Sequence, residues 1–276
     1  MPTSSALPAR DDLADFDHDV FHHGDDAYVV HRSGTGPAVL VLTEMPGISP
    51  EVARLARWVR DAGMHVVMPS LFGTDGETRS VDEAVDVFRR TCVHRSFVSL
   101  GGVADTPIVG WLRALATDAH ERCGGRGVGA IGMCFTGNFV LGMVLEPPTT
   151  AVVMCQPSLP LDRPDETGCT DDELVGVRRR LEHDGCAAAL VRFEGDRWSN
   201  AERARRYREA LGERLAVIEL PDACANPTPP PFFADVVGCA HSVLTAHLVD
   251  EQGHPTLAAR DAVLAFLRRE LGVGPG

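Results

Sequence analysis

Lysine is absent. All 26 basic side chains of the 276 residues are arginines, set against 39 acids, and the formal charge is −13. An acid excess repels phosphate backbones, which argues against a nucleic-acid partner, and an all-arginine base set reads as a compositional bias of the source. No apolar run approaches the roughly 20 residues a membrane span needs, because Gly, Pro or charge breaks each candidate. Residues 1–19 are polar and acidic, without the basic start and apolar stretch of a secretory signal. The expectation is a cytoplasmic protein that engages no membrane. None of the eight cysteines sits in a CxxC pair, and the histidines complete no zinc spacing, so no metal is expected. Thiols scattered along so long a chain read as free rather than as a disulfide framework.

What the sequence does have is core material, 44% apolar residues. Strand-length apolar runs alternate with amphipathic segments, the pattern of a parallel sheet covered by helices. Strands are expected at 38–43, 64–68, 128–131, 151–155, 187–193 and 215–220. Helices are expected at 50–62, 81–90, 107–123, 135–145, 171–184, 201–211 and 256–271. Neither a repeat nor a dividing linker is visible, so the reading is one domain over 26–276 preceded by an N-terminal extension, 1–25. Two proline-rich loops, 156–170 and 221–238, have the length of functional lids or walls, or of solvated excursions.

The chemistry concentrates at one junction. Residues 130–137, AIGMCFTG, run from strand through a sharp turn into a helix with Cys134 at the apex. This is the nucleophile-elbow pattern of α/β-hydrolases with cysteine in place of serine. The turn forces Cys134 into a sparsely allowed backbone conformation that lifts its sulfur above the sheet edge. In that fold an acid and then a histidine follow in chain order, each after a later strand. Asp196 stands in the turn after strand 187–193, and His241 in the segment GCAHS after the last strand. Cys134 would attack as thiolate, His241 would move the proton, and Asp196 would fix the imidazole tautomer. Rivals exist: His247 and His254 for the base, Asp222 and Asp235 for the acid, and Cys155 as another strand-end thiol.

In TEMPG at 43–47, GMCFTG at 132–137, EGD at 194–196 and AHS at 240–242, the chain resembles the dienelactone hydrolases over about residues 38–271. The resemblance implies an α/β-hydrolase fold, a mostly parallel sheet with helices on both faces and no large cap domain. It implies a Cys134–His241–Asp196 triad that hydrolyses a small ester or lactone through an acyl-enzyme, without a cofactor. It further implies an oxyanion hole from the amides of Met45 and Phe135, and a glutamate, Glu44, that hydrogen-bonds the resting thiol. Two departures stand out. Thr136 occupies a position usually taken by a small residue, and Thr245 stands where the family has a substrate-binding arginine. Arg95, with Arg79, Arg89 and Arg90, is a candidate replacement for binding a substrate carboxylate. A carboxylesterase or thioesterase acting on open-chain acyl groups and a catalytically silent ligand-binding scaffold are the alternatives.

Overall fold

The computed structural model describes residues 7–97 and 101–274. In chain order the regular elements are β1 (Asp17–His23), β2 (Asp26–Ser33), β3 (Ala38–Leu42), α1 (Pro50–Asp61), β4 (His65–Pro69), α2 (Val81–Cys92), α3 (Pro107–Cys123), β5 (Val128–Met133), α4 (Phe139–Val144), β6 (Thr149–Cys155), α5 (Asp171–His183), β7 (Ala187–Phe193), α6 (Ala201–Leu211), β8 (Leu215–Leu220) and α7 (Pro255–Leu271).

The strands form one eight-stranded sheet in the order β1-β2-β4-β3-β5-β6-β7-β8. From β4 to β8 all neighbours are parallel, while β2 pairs antiparallel with both β1 and β4. This is the α/β-hydrolase architecture, with helices on both faces and no large cap domain.

The inner strands are unbroken apolar runs because both their faces are buried. Leu40, Ala130, Val152 and Leu190 enter the core beneath α2, α3, α4, α5 and α6. Val39, Ile131, Val153 and Val191 enter the opposite core, against α1 and α7. Ser80 and Thr170 start α2 and α5 with capping boxes closed by Glu83 and Glu173, which explains why those charged helices begin where they do.

Two departures from the sequence reading have physical causes. β1 and β2 were not expected, because β1 is almost wholly exposed along DHDVFHH and shows no apolar run. The residue 25/26 boundary falls in the turn of this hairpin. The helix expected over 135–145 is instead a 3-10 turn, Cys134–Thr136, followed by the six-residue α4.

The chain leaves β3 toward β4 on one side and returns to β5 on the other. The crevice at the carboxyl ends of β3 and β5 is therefore the topological switch point where open α/β sheets bind ligands. Gly132 sits at the end of β5, where a Cβ would lie 2.4 Å from the Thr136 carbonyl oxygen and 2.9 Å from a Val140 methyl. Backbone cannot yield there without unwinding the turn. Gly132→Ala is expected to lower the unfolding free energy by about 2 kcal/mol, in the range of overpacked cores, as read by urea denaturation. An unchanged midpoint would show that the turn is not tightly packed.

Candidate active site

Register brings the site together. Leu42 on β3 pairs with Gly132 on β5, and Met133 pairs with Cys155 on β6. Glu44, Cys134 and Gln156 therefore leave three adjacent strands at one level. Cys134 has φ 53°, the left-handed region an L-residue enters at a cost of roughly 1–2 kcal/mol. Its sulfur is partly exposed and lies 3.4 Å from the Ser158 hydroxyl.

Thr136 explains how the turn holds. Its hydroxyl accepts from the Met133 amide at 2.9 Å and donates toward the carbonyls of Met133, Leu42 and Thr43 at 3.0–3.2 Å. The demand for smallness falls one residue later, on Gly137. A Cβ there would meet Pro157 Cα at 2.8 Å and the Cys155 carbonyl oxygen at 3.0 Å. With only six residues and a start at Phe139, α4 adds less dipole at the sulfur than a continuous helix would.

Asp196 and His241 meet. His241 Nδ1 lies 2.7 Å from Asp196 Oδ2, and both residues are buried. The other carboxylate oxygen accepts the amides of Trp198 at 2.9 Å and Ser199 at 3.2 Å. Burial pushes the Asp196 pKa up, but the His241 charge and these hydrogen bonds outweigh it and hold the carboxyl below its ordinary value. On His241 burial works downward, and the charges of Asp196 and Cys134 prevail and raise it well above the usual imidazole value. Its buried Nε2 has no partner other than the Cys134 side chain, with which it interacts, among the described residues.

Glu44 differs from the expectation. No hydrogen bond joins it to Cys134 among the described residues. Its buried carboxylate accepts from the Ser242 hydroxyl at 2.5 Å, from the Thr245 hydroxyl, and from the Gln156 amide at 3.4 Å. Two hydroxyls from the loop after His241 occupy one carboxylate oxygen each. Thr245, where the resemblance leads one to look for an arginine, thus anchors Glu44, just after β3, to the histidine loop. His247, considered as a rival base, supports the same loop: its Nδ1 accepts the Ser242 amide at 3.2 Å. Burial and the nearby His241 charge lower its pKa to about 4, keeping that nitrogen an acceptor. Ser158, Ser242 and His247 carried no motif that would have singled out these roles.

Met45 and Phe135 are buried at the ends of β3 and β5, on either side of the sulfur's chain position. Arg95 does not join them. Its side chain is 72% exposed and pairs with Asp25 at the surface, while Ser96 and Phe97 of the same 3-10 turn are buried. Among the other rivals, Asp222 accepts the Gly195 amide at 2.8 Å and so buttresses the acid turn, His254 caps α7, and Cys155 is buried in the sheet.

Both long loops are built into the structure. Asn138, Tyr207 and the buried Arg203 donate to carbonyls of Pro157, Leu159, Pro160, Arg163 and Thr167, which fixes the 156–170 loop as a wall. In the 221–238 loop, Phe233 packs edge-on against His247.

The model of the dienelactone hydrolase family matches residues 26–170, a span that includes Glu44 and Cys134 and ends before Asp196 and His241. No curated protein sequence matches the chain. Among solved structures, a dienelactone hydrolase-like promiscuous phosphotriesterase from metagenomic libraries aligns with TM-score 0.60 at 15% identity, covering 91% of this chain and 98% of the other. A dienelactone hydrolase from Anabaena variabilis aligns with TM-score 0.57 at 16% identity, covering 93% and 99%. A Pyrococcus furiosus esterase aligns with TM-score 0.57 at 12% identity, covering 95% and 93%. At such identities these likenesses speak for the fold.

Burial raises the Glu44 pKa despite the Ser242 and Thr245 hydrogen bonds. A carboxyl held above its unfolded value keeps its proton longer in the folded chain, so its contribution to stability falls as pH rises through the ordinary carboxylate range. Glu44→Gln removes that titration. Its Tm relative to the unaltered protein is expected to rise on going from about pH 4.5 to about pH 8; a difference that stays constant across that range would refute the assignment.

Proposed function

Because this chain belongs to the dienelactone hydrolase family, we propose that it hydrolyses a small ester or lactone in the cytoplasm through a cysteine nucleophile, with Cys134, His241 and Asp196 as the catalytic residues. Membership makes it a hydrolase acting on ester bonds. The observation that supports the cysteine mechanism best is the buried 2.7 Å contact between His241 and Asp196, with the remaining ring nitrogen left for the Cys134 side chain.

In this mechanism His241 takes the thiol proton, and the Cys134 sulfur bonds to the ester carbonyl carbon. The carbonyl electron pair moves onto oxygen, where the amides of Met45 and Phe135 receive it. An oxyanion-hole donor of this kind is worth roughly 3 kcal/mol. The pair returns, the carbon–oxygen bond of the ester breaks, and the alcohol leaves with the proton from His241. In a lactone that alcohol stays tethered to the acyl group. Water, deprotonated by His241, then attacks the thioester; the carbon–sulfur bond breaks with its electron pair going to sulfur, His241 returns the proton to that sulfur, and the acid leaves. Asp196 stabilises the imidazolium at both stages. The Ser158 hydroxyl, 3.4 Å from the sulfur, can donate to the thiolate. Glu44 acts as a positioning residue, holding the oxyanion strand against the histidine loop.

Hydrolysis of p-nitrophenyl acetate by the purified protein is expected, with Cys134→Ala and His241→Ala each losing about 10³-fold or more in kcat, as for single deletions from such triads. A covalent acetyl group on Cys134 should be visible by mass spectrometry after a rapid quench. No turnover across a panel of esters and lactones would favour the silent ligand-binding scaffold instead.

A further inference from the structure

Two cavities flank the aromatic cluster of Phe72, Phe97, Phe135 and Phe139, whose rings meet at 5.3–6.3 Å. The larger, about 1010 Å³, lies against the elbow. Phe135, which follows Cys134, lines it, and so does Leu159, which follows the Ser158 that touches the sulfur. None of the residues lining the smaller cavity, about 420 Å³, comes from the elbow.

The larger cavity has an apolar interior and an acidic rim. Phe97, Val103, Phe135 and Phe139 are buried in its floor. Its charged lining is Asp162, Glu166, Asp171 and Glu209 against Arg163 and Arg206. Both arginines are committed: Arg163 pairs with Glu166 at 2.7 Å, and Arg206 with Glu202 at 3.4 Å and Asp165 at 3.8 Å. Thr245, buried on Glu44, adds no charge, and Arg95 faces solvent. By contrast, Arg79, Arg90 and His94 line the smaller cavity beyond Phe97.

We propose that the larger cavity binds the non-reacting part of the substrate, and that this part is an uncharged apolar group well above acetyl in size, not a carboxylate. The proposal rests on the ester-hydrolase reading and gives it a substrate class. A volume near 1,000 Å³ is at the upper end of small-molecule pockets. An apolar chain placed there exchanges water for Phe97 and Phe139, whereas a carboxylate would lose its hydration against a lining with more acids than arginines, where Arg163 already holds Asp162 and Glu166, and would find no unpaired cation on the cavity's described lining.

The test compares p-nitrophenyl acetate, hexanoate and hydrogen adipate, the last matching hexanoate in length with a terminal carboxylate. The kcat/KM for hexanoate is expected to exceed that for acetate by about tenfold and that for adipate by at least about tenfold, the scale of pocket discrimination between close analogues. Leu161→Arg, which sets a cation on the wall, should narrow the hexanoate-to-adipate ratio. Adipate equal to or better than hexanoate would overturn the proposal by seating the substrate against Arg79 and Arg90, and indifference to chain length would also overturn it. Absence of Cys134-dependent acetate turnover would instead sink the hydrolase reading. The binding preference is then read without catalysis, by calorimetry on Cys134→Ala with hexanamide against adipic acid monoamide, where equal or reversed affinity overturns it.

Discussion

A left-handed residue at the end of β5 is the constraint on which the site depends. The chain reaches that conformation at Cys134 because Gly132 leaves room for the returning Thr136 carbonyl, and because the Thr136 hydroxyl is tied to the ends of both β3 and β5. The strain is modest beside the burial that opposes relaxation. Ile131 and Met133 on the strand, and Phe135 and Phe139 beyond it, are all within a few percent of full burial, and each such side chain contributes about 2 kcal/mol. A side chain presented in this way needs no long helix behind it.

The second organising feature is a buried carboxylate used as a structural tie. Glu44 receives two hydroxyls from the histidine loop and an amide from the end of β6, so the ends of β3 and β6 and the loop after His241 are cross-linked by one side chain. A charge so deeply buried is costly unless its oxygens are filled. Ser242 and Thr245 fill them, which leaves the sulfur without this partner and leaves no arginine at 245. Structural anchoring and the lack of a cation at position 245 are thus two consequences of one threonine.

The architecture was legible where apolar runs were buried on both faces. β3, β5, β6 and β7 read directly from the sequence, because a parallel strand covered on both sides has no polar alternation to confuse. β1 was not legible, since an exposed edge strand carries charges and histidines and is defined by its partner. At the site, the order Cys134, Asp196, His241 could be read from strand-end positions. The partners of Glu44 could not, because Ser242, Thr245 and Gln156 are ordinary polar residues until the sheet register brings them within hydrogen-bond reach. Arg95 shows the converse: a plausible residue type at a plausible distance along the chain, facing solvent.

The sequence by itself determined the alternating α/β pattern, the kinked backbone at Cys134 and the chain order of the polar residues that follow it, because those features depend on local backbone sterics and hydrophobic periodicity. Which acid touches His241, which hydroxyls hold Glu44 and which arginines face a cavity were decided only by tertiary structure. Those contacts join residues as many as 201 positions apart, and strand order and register alone set their distance.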